Sequence, residues 1–247
     1  MSTPKNKQML LKPRTLIAPK FLKFCYILLA FLALSCKNET TNTSKEDVQN
    51  KNQTDIAKIE TTTNTILCFG DSITAGYGLD DSADAFPAVL QQKIDSLNLN
   101  YTVVNSGLSG ETSAGGKSRI GWVLNQDIAV FILELGANDG LRGVPLSETR
   151  LNLQAIIDAV KEKQPKATII LAGMELPPNM GQDYTNEFRA VYADLAATNN
   201  LEFIPFILKD VGGIAELNQS DGIHPTIKGH KIVANTVWKT LKPLLKK

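Results

Sequence analysis

From residue 65 onward the chain repeats one pattern: a short apolar run, then a longer stretch with apolar residues at helical spacing. The runs are 65–69, 101–104, 128–135, 168–172 and 201–204. Between them, Phe86, Val89, Leu90, Ile94 and Leu97 share a helical face within 83–97, and Leu151, Ile156, Ile157 and Val160 do the same ahead of Pro165. A helix is expected over 188–198. A last one carries Ile227, Ile232, Val233, Val237 and Leu241 on one side. Strands separated by helix-length connections pair in parallel, because a tight turn cannot join parallel neighbours. Right-handed crossovers then place helices on both faces of the sheet. Residues 65–247 are therefore expected to form an α/β domain, a three-layer α/β/α sandwich around a five-stranded parallel sheet. The nearly continuous apolar run at 128–135 marks a strand buried on both faces.

The preceding residues do not share this pattern. Residues 1–36 carry six basic side chains and no acidic one, and 24–34 is an apolar run of eleven residues. That length suits a signal-peptide core and falls short of the roughly 20 residues of a membrane-spanning helix. The run leads into Ser35-Cys36, which resembles the lipobox of bacterial lipoproteins, whose cysteine is lipidated. The alternative is a plain secretory signal or a short anchor. Residues 37–64, rich in Thr, Asn, Lys, Glu and Gln without an aromatic, cannot bury enough apolar surface to offset their ordering entropy. They read as a disordered tether with a root-mean-square reach of roughly 30 Å. The expectation is an exported protein, anchored through a lipid on Cys36 and otherwise clear of the membrane.

Of 26 basic residues, 20 remain after residue 36, against 25 acidic ones, a formal net charge of −5. That leaves no basic field for nucleic acid. Two histidines and three cysteines argue against a metal cluster. Cys68 sits in an apolar run and reads as a buried, inert thiol.

In open parallel sheets the working groups gather beyond the carboxyl ends of the strands. Here the first three strands end in Gly70-Asp71-Ser72, in Ser106 to Thr112 and in Gly136-Ala137-Asn138-Asp139, all on one rim. Ser72 precedes an expected helix. It is either a helix cap or a hydroxyl presented at a helix N-terminus, where developing negative charge is favoured. A serine nucleophile needs a base, and there are two candidates. His230 falls on the expected exposed start of the last helix. His224 lies in a turn three residues after Asp221, a spacing that lets the carboxylate bond one ring nitrogen. The same Asp221–His224 pair also fits a solvated turn. Asn138 can donate an amide N–H to an anion or merely form a turn. Gly110 can offer a backbone N–H that a ligand approaches closely, or be a loop glycine.

Gly70-Asp71-Ser72-Ile73-Thr74, Gly110 before Glu111-Thr112, Gly136-Ala137-Asn138-Asp139 and Asp221-Gly222-Ile223-His224-Pro225 occur in an order and spacing that resemble the four blocks of the GDSL, or SGNH, hydrolases. Ile73 stands where the family more often has Leu. Gly70 to Gly78, Glu134 to Gly143 and Met174 to Gly181 resemble the arylesterase, thioesterase I and lysophospholipase group of that family. The resemblance implies a flavodoxin-like SGNH fold and hydrolysis of esters or thioesters through an acyl-serine, without cofactor or metal. It implies Ser72 as nucleophile, His224 as base and Asp221 as the orienting acid. The Ser72 N–H, the Gly110 N–H and the Asn138 side chain would form the oxyanion hole, and Leu176, Pro177, Pro178 and Asn179 the wall of the acyl site. A flat site taking small acyl or aryl esters is expected. The rivals are a carbohydrate O-deacetylase on the same fold and a surface lipoprotein that binds without catalysis.

Overall fold

A computed structural model describes residues 64–246. Five parallel strands, β1 (Asn64–Gly70), β2 (Tyr101–Gly107), β3 (Val130–Glu134), β4 (Thr168–Ala172) and β5 (Glu202–Ile204), form one sheet in the order β2-β1-β3-β4-β5. This is the flavodoxin-like order, which reverses direction between β1 and β3, where such sheets open a crevice at their carboxyl edge. β3 is buried along its whole length, as its apolar run requires, whereas the edge strand β2 is half exposed.

Helices α2 (Phe86–Ser96) and α7 (Ile227–Leu241) pack together on one face. On the other, α5 (Leu146–Lys163) lies between α3 (Ser113–Val123) and α6 (Gln182–Asn199). Phe86, Leu90 and Ile94 of α2 and Val233, Val237 and Leu241 of α7 are fully buried. At about 25 cal/mol per Å² of apolar area removed from water, such side chains supply roughly 1.5–3 kcal/mol each. The helical spacing in the sequence thus marks most of the buried face, but Leu97, Leu151 and Ile227, expected on it, are exposed, Leu151 by 66%. Register aligns Gly70 with Gly107 on one side and with Glu134 on the other, so three strand ends finish level at the carboxyl rim.

Two helices have no stripe to announce them. In α3 the buried positions are Ser113, Gly116 and Ile120, too sparse for a periodic apolar face. Gly116 lets the helix lie close against the sheet: a Cβ there would sit 2.4 Å from Leu135 Cδ1 and 3.1 Å from the Phe69 ring. The short α4 (Ala137–Leu141) follows Gly136, whose φ of 113° suits glycine. His230, expected on an exposed helix start, is fully buried instead. α7 turns that face toward α2, where His230 Nδ1 accepts the Phe86 N–H at 3.3 Å. Burial lowers its pKa to about 4, and the nearby charge of His224 adds to that shift. Cys68 lies at the centre of β1 with no exposure; burial first, and the Glu134 charge second, push its thiol far up. The leader at 1–36, Cys36 and nearly all of the expected tether lie outside the described residues.

Candidate active site

The site begins where β1 stops. Gly70 is required there, because a Cβ would fall 2.1 Å from Thr74 Oγ1 and 2.5 Å from Glu134 Oε2. The chain turns into α1 (Ser72–Ala75), and the cap of that turn is Asp71, whose Oδ1 accepts the Ile73 N–H at 3.0 Å. Asp71 thereby relieves Ser72 of the capping role and leaves its hydroxyl to face the rim. With four residues, α1 is too short for a macrodipole to matter. Fixed donors must supply any anion stabilisation.

Glu134, at the end of β3, holds the turn from below. Its Oε2 accepts Thr74 Oγ1 at 2.7 Å and the Asp71 N–H at 3.3 Å. Burial raises the Glu134 pKa well above the usual range, and the neighbouring Asp71 charge raises it further. Asp71 itself is pushed up to about 6 by burial, which outweighs its bonds from Ile73 and Asn138.

The second half of the site comes from the loop before α7. Asn218 and Pro225 bridge across it, and Gln219 Nε2 ties it to the Tyr77 carbonyl at 2.7 Å. Asp221 Oδ1 accepts the backbone N–H groups of Ile223 (2.9 Å) and His224 (3.0 Å). Its Oδ2 meets His224 Nδ1 at 2.7 Å. Slight burial raises the Asp221 pKa, but the bonds from the His224 ring, the two backbone amides and the imidazole charge outweigh it and hold the acid at about 2. An ionised carboxylate only accepts, so Nδ1 carries the proton and Nε2 presents its lone pair. That lone pair faces Ser72 Oγ at 2.9 Å, across 152 residues of sequence. The Tyr77 ring packs beside the imidazole, centroids 4.7 Å apart.

Asn138, in α4, donates Nδ2 to Asp71 Oδ2 (3.2 Å) and to the Glu111 carbonyl (3.1 Å). Gly110 stands at φ 79° in the loop after β2. Arg119 anchors that loop: it pairs with the buried Glu111 carboxylate at 2.5 Å, donates to the Ser106 carbonyl at 2.8 Å and lies over the Phe69 ring at 4.1 Å. Arg142 Nη2 donates to the Gly110 carbonyl at 3.1 Å and to Asn138 Oδ1 at 3.3 Å. The expected Ser72, Asp221, His224 and Asn138 thus meet at one rim, with the Gly110 loop joined to Asn138 through Arg142. Sequence reasoning assigned no role to Glu134, Arg119, Arg142 or Tyr77, although Glu134, Arg142 and Tyr77 lie inside the very blocks it singled out.

Beside Ser72 opens a cleft of about 460 Å³ rather than the flat surface expected. Leu176, Pro177 and Pro178 line it; Asn179, exposed in the same 178–180 turn, is not among its lining residues. Ile73, Leu141, Met174 and Ile223 complete an apolar wall, and Phe206, Leu208, Gly212 and Gly213, after β5, form a side that no sequence signal marked.

A hydroxyl bonded to an imidazole that is oriented by a carboxylate is the arrangement of an acyl-transfer centre. Comparison with known proteins agrees. The model of the GDSL-like lipase/acylhydrolase family matches residues 68–232. Esterase TesA of Pseudomonas aeruginosa is 41% identical over 182 residues, covering 73% of this chain and 89% of that protein. Thioesterase 1/protease 1/lysophospholipase L1 of Escherichia coli is 37% identical, covering 73% and 85%. A crystal structure of TesA superposes with a TM-score of 0.71 at 39% identity, covering 74% of this chain and all of that one. With the sequence blocks, the sheet order and the site in agreement, the chain belongs to the GDSL-like lipase/acylhydrolase family and is a serine ester hydrolase.

Proposed function

We propose that the protein hydrolyses carboxylic esters and thioesters of short to medium acyl chains through an acyl-Ser72 intermediate. The observation that carries this is the unbroken line Ser72 Oγ–His224 Nε2–Asp221, at 2.9 and 2.7 Å, opening on an apolar cleft. Ser72 Oγ attacks the acyl carbonyl while His224 Nε2 takes its proton, and Asp221 stabilises the imidazolium. The carbonyl oxygen, now negative, is held by the Ser72 and Gly110 N–H groups and by Asn138 Nδ2. One such donor is worth about 3–4 kcal/mol of barrier. His224 then returns its proton to the leaving alkoxide or thiolate. Water, deprotonated by His224, attacks the acyl carbon; the C–O bond to Ser72 breaks, His224 returns the proton to Ser72 Oγ, and the acid leaves.

The cleft supports the choice of acyl group. Ile73, Leu141, Met174, Leu176 and Ile223 offer an alkyl or aryl chain an apolar wall and give few polar groups for a sugar, which favours an acyl esterase over a glycan deacetylase. Export and anchoring through a lipidated Cys36 belong to the same reading, supported by the basic stretch, the apolar run and the polar tether of the sequence.

A chain-length series of p-nitrophenyl esters, with wild type beside Ser72→Ala, tests the function. Turnover peaking at short to medium chains and abolished in Ser72→Ala is expected, together with fluorophosphonate labelling of wild type alone. Wild type inactive on every member, or Ser72→Ala as active as wild type, overturns the reading.

A further inference from the structure

Arg142 is exposed at the end of α4 and, among the described residues, forms no ion pair. Instead, one nitrogen, Nη2, bridges the Gly110 carbonyl and the Asn138 side-chain oxygen. Those two acceptors belong to two of the residues proposed as oxyanion donors. Each needs orienting. Gly110, with φ at 79° and no side chain, has no anchor of its own in the loop. The Asn138 amide, if turned over, would point its NH₂ at the guanidinium and lose its bonds to Asp71 and the Glu111 carbonyl. Turned as it is, the amide gives its oxygen to Arg142 and rests its Nδ2 on Asp71 and the Glu111 carbonyl, bonds that an incoming oxyanion would share.

The geometry points to Arg142 as a positioning residue of the oxyanion hole, a strap that sets Gly110 and Asn138 relative to each other. The inference rests on the proposed role of those two residues as donors. A bond from a charged donor to a neutral carbonyl is stronger than one between neutral groups, so one guanidinium suffices for both. Its position outside the core separates it from Arg119. Arg119 is tied to a buried carboxylate and to Phe69 and therefore supports the loop's fold; Arg142 is free to act on the donors alone.

The test compares wild type, Arg142→Met and Arg142→Lys on the best p-nitrophenyl ester, each also in an Asn138→Ala background. Loss of aim costs less than loss of a donor, so Arg142→Met should lower kcat about tenfold while KM stays within about twofold. The thermal midpoint should not change, and Lys should restore part of kcat by reaching one of the two carbonyls. Residues that act on one oxyanion hole are not additive, so with Asn138 already removed the further loss should be less than about threefold. Wild-type kcat in Arg142→Met, a loss confined to KM, or a full tenfold loss retained in the Asn138→Ala background would each overturn the inference while leaving the esterase reading intact. An inactive wild type strikes the esterase reading itself.

Discussion

Acidification from pH 7 to 4.5 should cost the protein stability through His230, which takes no part in the reaction. The ring is fully buried, accepts the Phe86 N–H at Nδ1, and its Nε2 has no partner. Its pKa falls from 6.5 in the open chain to about 4 in the fold, chiefly through burial. The unfolded chain therefore binds the proton first as pH drops. The stabilisation is fully present above pH 6.5 and is lost between 6.5 and about 4. At pH 4.5 the accumulated loss is about 2–3 kcal/mol, from a gap valued at roughly 1.4 kcal/mol per pH unit. Asp71 works the other way. Its carboxyl is raised to about 6, so the fold holds that proton more tightly than the open chain and gains stability toward acid. Glu134 shifts in the same direction. The wild-type pH dependence is thus muted, and a paired measurement is needed to isolate His230. His230→Leu leaves the buried Phe86 N–H unpaired, a loss of about 1–3 kcal/mol that does not vary with pH. Urea unfolding followed by circular dichroism at pH 7 and 4.5 should show the deficit of the variant shrinking by about 2–3 kcal/mol at the lower pH. An unchanged deficit at the two pH values would refute the reasoning.

Two further outcomes are expected. Gly70→Ala should lower kcat by at least about tenfold and cost about 1–3 kcal/mol in urea unfolding, because its Cβ would strike both Thr74 Oγ1 and Glu134 Oε2 under the nucleophile turn; wild-type values would contradict that grip. Cys36→Ser should abolish incorporation of a clickable palmitate analogue in a bacterial host and release the protein from the membrane fraction; labelling that persists would dismiss the anchor.

The strands and the amphipathic helices were legible because burial follows the 2.0 and 3.6 periodicities of the backbone. α3 was not, since Gly116 buries backbone rather than side chain, and hydropathy cannot register a contact made by absence of bulk. The extent of α5 and α6 was underestimated for a related reason: their first turns, Leu146 to Arg150 and Gln182 to Asn186, are mostly polar and begin without a side-chain cap. His230 misled because a histidine between lysines looks solvated, while Lys228 and Lys231 in fact point away on the outer side of the same helix. At the site, Ser72, His224 and Asp221 were found by chemistry plus spacing. Asn179 was carried along with its prolines, and a loop in sequence does not say which of its residues face inward. Arg119 lay beyond reach, since its partners Glu111, Ser106 and Phe69 converge only in three dimensions.

The carboxyl beside the nucleophile has two tasks at once: Asp71 caps the Ser72 turn with one oxygen and receives the Asn138 amide with the other. Attacking group and charge receptor are therefore machined from a single block, and neither can be retuned without disturbing its fellow. Freedom to evolve new substrate preferences lies instead in the outer loops. At Gly181, Gly213 and Gly222 an added Cβ would meet nothing within 4 Å, although their left-handed backbone penalises any larger residue there. Variation in diet, for an enzyme of this build, should be written in the segments around those glycines while the seat of the reaction stays as it is.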